Sequence, residues 1–546
     1  MLLIGLAVGV DYSLFYLKRE REEWARGAGR VDALNIAAAA SGRSVMISGI
    51  TVMVAMAGVF LTGSAIFTGI GVATILVVAC SVLGSLTVLP ALMAWLGDRV
   101  EKGRIPLLHR RAARPSRFWS LVLGAVLRRP LVAAVVAGAA LVGLAIPAFG
   151  LQLRDEGIRD LPQDLPVIQA YQSIAAALPG GSSPAQVVAQ APDVTAPQVQ
   201  TAIAELRRQA LAGRMNEPIS VRIDADHTVA VVSVPLAGDG EDETSQDALH
   251  ALADQIVPRT LSTVSGVTAV VTGSTAGSVA FQDLLHQRTP WVFAFVLVLA
   301  FALLLVSFRS VVVAATAIVL NLLSVAAAYG TLVLVFQHGW GKSLIGLDST
   351  GPIVNWVPLF LFVILFGLSM DYHVFILSRI REGFDRGCST WDAIASGVTS
   401  SAGVITSAAI IMVFVFATFV TLSTTNMKQI GLGLAVAVLL DATVVRALLL
   451  PAVMQLLDDR NWYLPRWLRW LPAVQQEGDP VALLTPQSWL PVGAGPADTA
   501  PGRGEHQENN WPSAVVSRDL VDGQRGSPVL DVMTTLPPNR RTEQSA

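Results

Sequence analysis

Charge is scarce in this chain. Asp, Glu, Lys and Arg make up 14% of its 546 residues against 53% apolar residues, with a mean hydropathy of +0.57. Soluble globular chains carry about 25% charged residues, so the shortage excludes an ordinary water-soluble domain. Cysteine is rarer still. Cys80 falls inside an apolar run and Cys388 in a short polar loop, which leaves no disulfide framework. The seven histidines are scattered without His-Glu-x-x-His spacing, so no metal site is predicted. Gly339-Trp340-Gly341-Lys342-Ser343 imitates the end of a phosphate-binding loop, but Phe336 stands where that motif needs glycine, which excludes an ATP site. In residues 150–289 no nucleophile, base and orienting acid stand at a spacing that would mark a hydrolase. No enzyme activity and no cofactor are expected.

Long apolar runs are abundant. Nine are long enough to cross a hydrocarbon core, which takes about 20 apolar residues as helix: 1–17, 45–61, 69–96, 130–149, 290–308, 310–336, 356–377, 401–421 and 429–457. Their only charged residues are Asp11, Asp371, Asp441 and Arg446. A carboxylate kept at membrane depth is costly, faces a bundle interior and marks an ion or proton path. Two of the three acids share a context, because Asp11-Tyr12 returns 360 residues later as Asp371-Tyr372. The same offset aligns Phe15 with Phe375, Arg19 with Arg379, Arg21-Glu22 with Arg381-Glu382 and Asp32-Ala33 with Asp392-Ala393. With one extra residue, Leu89-Pro90-Ala91 meets Leu450-Pro451-Ala452. Repeats of this kind build transporter sites at the interface between halves.

Basic loops set the orientation, since short loops rich in Lys and Arg stay cytoplasmic. Lys18 to Arg43, Arg99 to Arg117, Arg309, Arg379 to Arg386 and Arg460 to Arg469 all fall on one side of a single alternating topology, while the loop 337–355 carries only Lys342. These clusters signal topology rather than nucleic-acid binding. Residues 150–289 form an outer domain. Helical spacing over Val167 to Leu178, Ala196 to Leu211 and Ser245 to Val257 is interleaved with strands at Gln186 to Gln190, Ile219 to Ile223, Thr228 to Val234 and Val267 to Thr272. That order of elements is a split βαβ sandwich, ferredoxin-like in topology.

The predicted fold is therefore mainly α: a polytopic membrane bundle of about nine helices in two pseudo-repeated halves with one α/β extracytoplasmic domain. The segments are a partial first transmembrane half (1–97), a basic cytoplasmic linker (98–129), a single span (130–149), the outer domain (150–289), a second bundle (290–457) and a cytoplasmic tail (458–546). The tail is poor in apolar periodicity and is read as disordered, with Trp462, Trp467 and Trp470 beside Arg466 and Arg469 as an interfacial anchor.

Gly367-Leu368-Ser369-Met370-Asp371-Tyr372-His373-Val374-Phe375, followed by Ser378-Arg379-Ile380-Arg381-Glu382, resembles the tenth helix of the MMPL family, membrane transporters of the resistance-nodulation-division superfamily. Gly9-Val10-Asp11-Tyr12 resembles that family's fourth helix, and Asp441 to Pro451 the end of its twelfth. The resemblance covers residues 1 to about 470. It implies twelve helices in two halves, each with an outer domain, so the first three helices and the first outer domain are expected to lie upstream of the residues matched by Met1. Either the start is misassigned or the product is a fragment. The resemblance also implies proton-driven export of lipids or other hydrophobic compounds across the inner cell membrane, with membrane lipids as neighbours, a homo-oligomer as an option and no nucleic acid.

Asp11, Tyr12, Asp371 and Tyr372 are the expected proton relay. Neighbouring helix residues point about 100° apart, so each Asp is expected to meet the Tyr of the other half, a crosswise pairing that the resemblance also implies. The driving force is adequate: about 2.3 kcal/mol per charge per 100 mV, plus about 1.4 kcal/mol per unit of pH difference. The competing reading is a transport-inactive fragment, scaffold or regulatory subunit. Asp441 and Arg446, five apart and off one helical face, are read as a structural ion pair outside the relay. His373 is read as a packing or hydrogen-bonding group, and Asn321 and Ser324 as interhelical polar contacts.

Overall fold

The computed structural model describes residues 2–25, 27, 29–96, 117–157, 160–177, 184–213, 215–238, 240, 242–343, 345–346 and 350–471. The side chains of Asp11, Asp371 and some other helical residues lie outside this description, as does the tail beyond 471. The chain divides into a unit Met1–Thr485, which contains every described residue, and a unit Pro486–Ala546 outside them.

Among the described residues, eight helical spans are long and apolar enough to cross a membrane. The run at 1–17 opens a further helix, α1 (Leu2–Ala25), which packs on α2 (Arg30–Ala57) and α3 (Ala65–Leu83). A π-helical turn, Gly84–Val88, carries α3 into α4 (Leu89–Leu96). Next come α5 (Arg117–Arg128) and α6 (Pro130–Ala145), the latter with its proline in the first turn, where a missing N–H costs nothing.

The outer domain follows. It comprises β1 (Leu153–Arg154), α7 (Pro166–Ala177), β2 (Ala185–Gln190), α8 (Pro197–Ala212), β3 (Ser220–Ile223), β4 (Val229–Val234), α9 (Glu243–His250) and β5 (Thr268–Thr272). The sheet order β3-β4-β2-β5 is antiparallel throughout, with Val187 opposite both Val232 and Val271. Alternation does the work: Ala185, Val187 and Ala189 of β2 and Ala230, Val232 and Val234 of β4 point one way, onto Ile203, Leu206, Leu249 and Leu252. This is the split βαβ arrangement predicted from the strand and helix order.

The second bundle contains α10 (Ser274–Phe308), α11 (Val311–Leu332), β6 (Ile353–Val354), α12 (Val357–Asp385), α13 (Thr390–Val420) and α14 (Thr425–Leu440). Another π-helical segment, Asp441–Leu449, carries α14 into α15 (Leu450–Leu457). Among these helices, α12 is enclosed by protein. It contacts α2, α10, α11, α13 and α14. Of its most apolar window 88% is buried, against 11% for the window at Pro130–Gly150. That difference puts α12 at the centre of the described helices and α6 at their edge. α11 approaches α6 so closely that a Cβ on Gly330 would lie 1.8 Å from the Leu144 carbonyl oxygen, so no larger residue fits there.

Of the four π-helical segments among the described residues, Gly84–Val88 and Asp441–Leu449 fall at equivalent places in the repeat. The amide of Leu89 donates to Gly84, and that of Leu450 donates to Val445, each five residues back. In both halves a proline follows directly, Pro90 or Pro451, and its missing N–H breaks the regular ladder so that the turn widens.

One connection was not predicted. β1 pairs in parallel with β6, Leu153 opposite Ile353 and Arg154 opposite Val354. Beyond this pair, Asp155 accepts from Gln282 Nε2 of α10 at 3.0 Å and from Asn355, while Glu156 accepts from Trp356 Nε1 at 3.3 Å and from Asn426 Nδ2 of α14 at 2.5 Å. Two carboxylates thus join the outer domain to the outer ends of three membrane helices.

Candidate functional site

Ser369, Tyr372 and His373 stand three and four residues apart on α12 and so share one helical face. That face meets the π segment. In a regular α-helix residues five apart point about 140° from each other, which is why Asp441 and Arg446 look misaligned in sequence. The wider turn brings Arg446 back over Asp441, and the two form an ion pair with 5% and 4% of their surfaces exposed.

The pair is embedded in further bonds. Ser369 Oγ donates to Asp441 Oδ2 at 2.7 Å. The Arg446 guanidinium donates to the Ser369 carbonyl at 3.2 Å and hydroxyl at 3.3 Å, and lies 4.5 Å from the centroid of the Tyr372 ring. A cation over an aromatic face is attracted by the ring quadrupole, more strongly where water is excluded. Tyr372, 2% exposed, directs its hydroxyl at Met412 Sδ of α13, 4.0 Å away. His373 Nδ1 lies 3.1 Å from the Ser369 carbonyl oxygen and 3.4 Å from its hydroxyl. Asn321 and Ser324 of α11 complete the wall; Ser324 donates weakly to the Ala437 carbonyl at 3.4 Å.

In the first half, the Tyr12 hydroxyl is 3.0 Å from Ser48 Oγ of α2, and α2 packs directly on α12. The positions matching Ser369, His373, Asp441 and Arg446 are Gly9, Ser13, Cys80 and Ser85. The ion pair is therefore a property of one half of the repeat alone. Asp11 and Asp371 belong to α1 and α12 beside the two buried tyrosines, with their carboxyl groups outside the description.

Sequence reasoning separated Asp441 and Arg446 from the Asp-Tyr motif. The structure brings Arg446 onto the Tyr372 ring and Asp441 onto Ser369, so ion pair and tyrosine occupy one polar core. Among the described residues, no group of histidine, cysteine or acidic side chains is placed to hold a metal.

Comparison with known proteins agrees with the fold. The model of the MMPL family matches residues 1–133 and 159–481. The "Mycolic acid-containing lipids exporter MmpL11" of Mycolicibacterium smegmatis is 40% identical over 488 residues, covering 87% of this chain and 50% of that protein. The "Heme uptake protein MmpL11" of Mycobacterium tuberculosis is 40% identical over 85% of this chain and 48% of its own length. The "Trehalose monomycolate exporter MmpL3" of Mycobacterium tuberculosis is 30% identical over 86% and 52%. This chain spans about half the length of these relatives. With the repeat, the central α12 and the family match in agreement, the chain belongs to the MMPL family of multi-pass cell-membrane transporters.

Proposed function

We propose that this chain serves proton-driven export of a lipid or another hydrophobic compound, with Asp11, Tyr12, Asp371 and Tyr372 passing protons through the bundle. The observation that carries this reading is the placement of Tyr372 on the most enclosed helix, with the Asp441–Arg446 pair against its ring. Polar groups at such depth are kept for ion or proton paths. Asp441 and Arg446 join the proposal as electrostatic partners: a fixed cation beside Tyr372 favours a negative charge nearby and so lowers the cost of ionising an acid in an apolar bundle. The hydrophobic cargo is supported by two relatives, a mycolic acid-containing lipids exporter and a trehalose monomycolate exporter.

The test is Asp371→Asn, with Asp11→Asn as its counterpart. Each is expected to accumulate and unfold like the parent and to lose export of a labelled mycolate-type lipid from vesicles energised by a pH gradient. Undiminished export by either variant removes the relay. A second reading, carriage of heme, is favoured by the name of one relative; hemin displacing the labelled lipid from the purified chain distinguishes it.

A further inference from the structure

A cavity of about 20 Å³ lies between α11, α12, α13 and α14, lined by Asn321, Ser369, Tyr372, Met412, Asp441 and Arg446, among others. That volume accommodates one water molecule, for which about 10–15 Å³ suffices. Around it, hydrogen-bonding capacity is left over on groups that are almost wholly buried. Asn321 Nδ2 and Arg446 Nε are donors with no partner, and Asp441 Oδ1 is an acceptor with none; the three residues are 2%, 4% and 5% exposed. Buried polar groups seldom remain unmet, because each would forfeit its hydration without return. The three residues come from two separate helical elements and line one space.

We infer that this cavity is a binding site for a single structural water, which accepts from Asn321 Nδ2 and donates to Asp441 Oδ1, and that Asn321 is a positioning residue for the Asp441–Arg446 pair. The donor and acceptor count fits water: it can take up both leftover donors on its lone pairs and serve the leftover acceptor with one hydrogen. The other Asp441 oxygen is already held by Ser369 and Arg446, so the water completes the shell of a carboxylate in an apolar bundle. It also extends the polar core from α12 to α11. The inference deepens the proposed relay and rests on that reading only for the use made of the water, not for its presence.

Met412 supplies an internal reporter. It is 2% exposed and borders the cavity, whereas Met454 is equally buried and does not. In X-ray radiolytic labelling of the purified chain in oxygen-18 water, radicals formed from a bound water oxidise the nearest sulfur. Met412 is expected to be oxidised faster than Met454, Asn321→Leu to bring it down to the Met454 rate, and Asn321→Ser, which retains a donor and leaves room, to keep it high. Equal rates for the two methionines in the parent chain overturn the site, as does an unchanged Met412 rate in Asn321→Leu. The parent comparison decides even where Asn321→Leu fails to accumulate. Because labelling requires no transport, undiminished export by Asp371→Asn or Asp11→Asn with Met412 still labelled sinks the relay and spares the water.

Discussion

Arg446 donates to Asp441 and Ser369 and covers the Tyr372 ring, so its removal strands a buried carboxylate. Breaking such a pair from one side costs about 3–5 kcal/mol, whereas replacing both members by apolar residues is often neutral. Arg446→Met is therefore expected to lower the unfolding free energy in detergent by about that much, and Asp441→Leu/Arg446→Met to recover most of it, as read by tryptophan fluorescence on heating. A double variant as unstable as the single one points to lost packing instead.

Asp155 carries a second residue-scale expectation. Burial pushes its carboxyl above the ordinary value of 3.8, against the opposing pull of bonds from Gln282, Ser278 and Asn355. A raised folded value means the folded chain binds the proton more tightly than the unfolded one. This group's contribution to stability thus grows as pH falls through the raised value, and is lost as pH rises through it. Asp155→Asn is expected to flatten that part of the melting-temperature profile between neutral and mildly acid pH; an unchanged slope discounts the group.

At this scale the sequence made the Asp-Tyr pairs legible, because a charge inside an apolar run stands out without any structure. It also exposed Asp441 and Arg446 as rare charges. It did not show that Arg446 meets Tyr372, since that contact spans 74 positions along the chain and depends on a π turn that ideal 3.6-residue spacing conceals. The signal available was the repeated Leu-Pro-Ala, whose prolines sit just beyond both widened turns.

Among elements, apolar runs located the membrane-crossing parts but not the helix ends. α12 continues past Leu377 to Asp385 because Arg379, Arg381 and Arg386 pair with Glu382 and Asp385 three and four residues away, which supports helix beyond the apolar stretch. α10 begins at Ser274, well before the run that opens at Pro290, because its first turns belong to the outer domain; there Thr275 donates to the Gly240 carbonyl at 2.9 Å. The β1–β6 pair was illegible for a simpler reason: two residues carry no period, and their partners are 200 positions apart. The contact of α11 with α6 gives the element-scale test. Gly330→Ala forces a methyl group into the Leu144 carbonyl, and overpacking of this kind costs about 1–3 kcal/mol. A lowered melting temperature with unchanged secondary structure by circular dichroism is the expected result; an unshifted one means that the two helices can part freely.

For the whole molecule, the single alternating topology read from the basic loops predicts Cys388 on the cytoplasmic side and the β3–β4 hairpin around Asp224 outside. Both positions can be reached by a reagent, for Cys388 is exposed. A membrane-impermeant maleimide is expected to spare Cys388 in intact cells and to label it in inverted vesicles, while Asp226→Cys in a Cys388→Ser background shows the reverse. Labelling of Cys388 from outside overturns the orientation. Outer-domain topology was legible because strand alternation and turn residues are local signals. The enclosure of α12 was legible only as unbroken hydrophobicity, which marks lipid-facing and protein-facing helices alike.

α10 runs for 35 residues without a gap, about 50 Å at 1.5 Å per residue. Its outer end hangs from the sheet through Gly273, whose φ of 121° few other residues tolerate, and Pro290 interrupts its ladder part of the way along. Such a rod is a cantilever with a joint. A small tilt of the sheet would be magnified into a sideways sweep at the far tip, and a push on that tip would return as a tilt of the sheet.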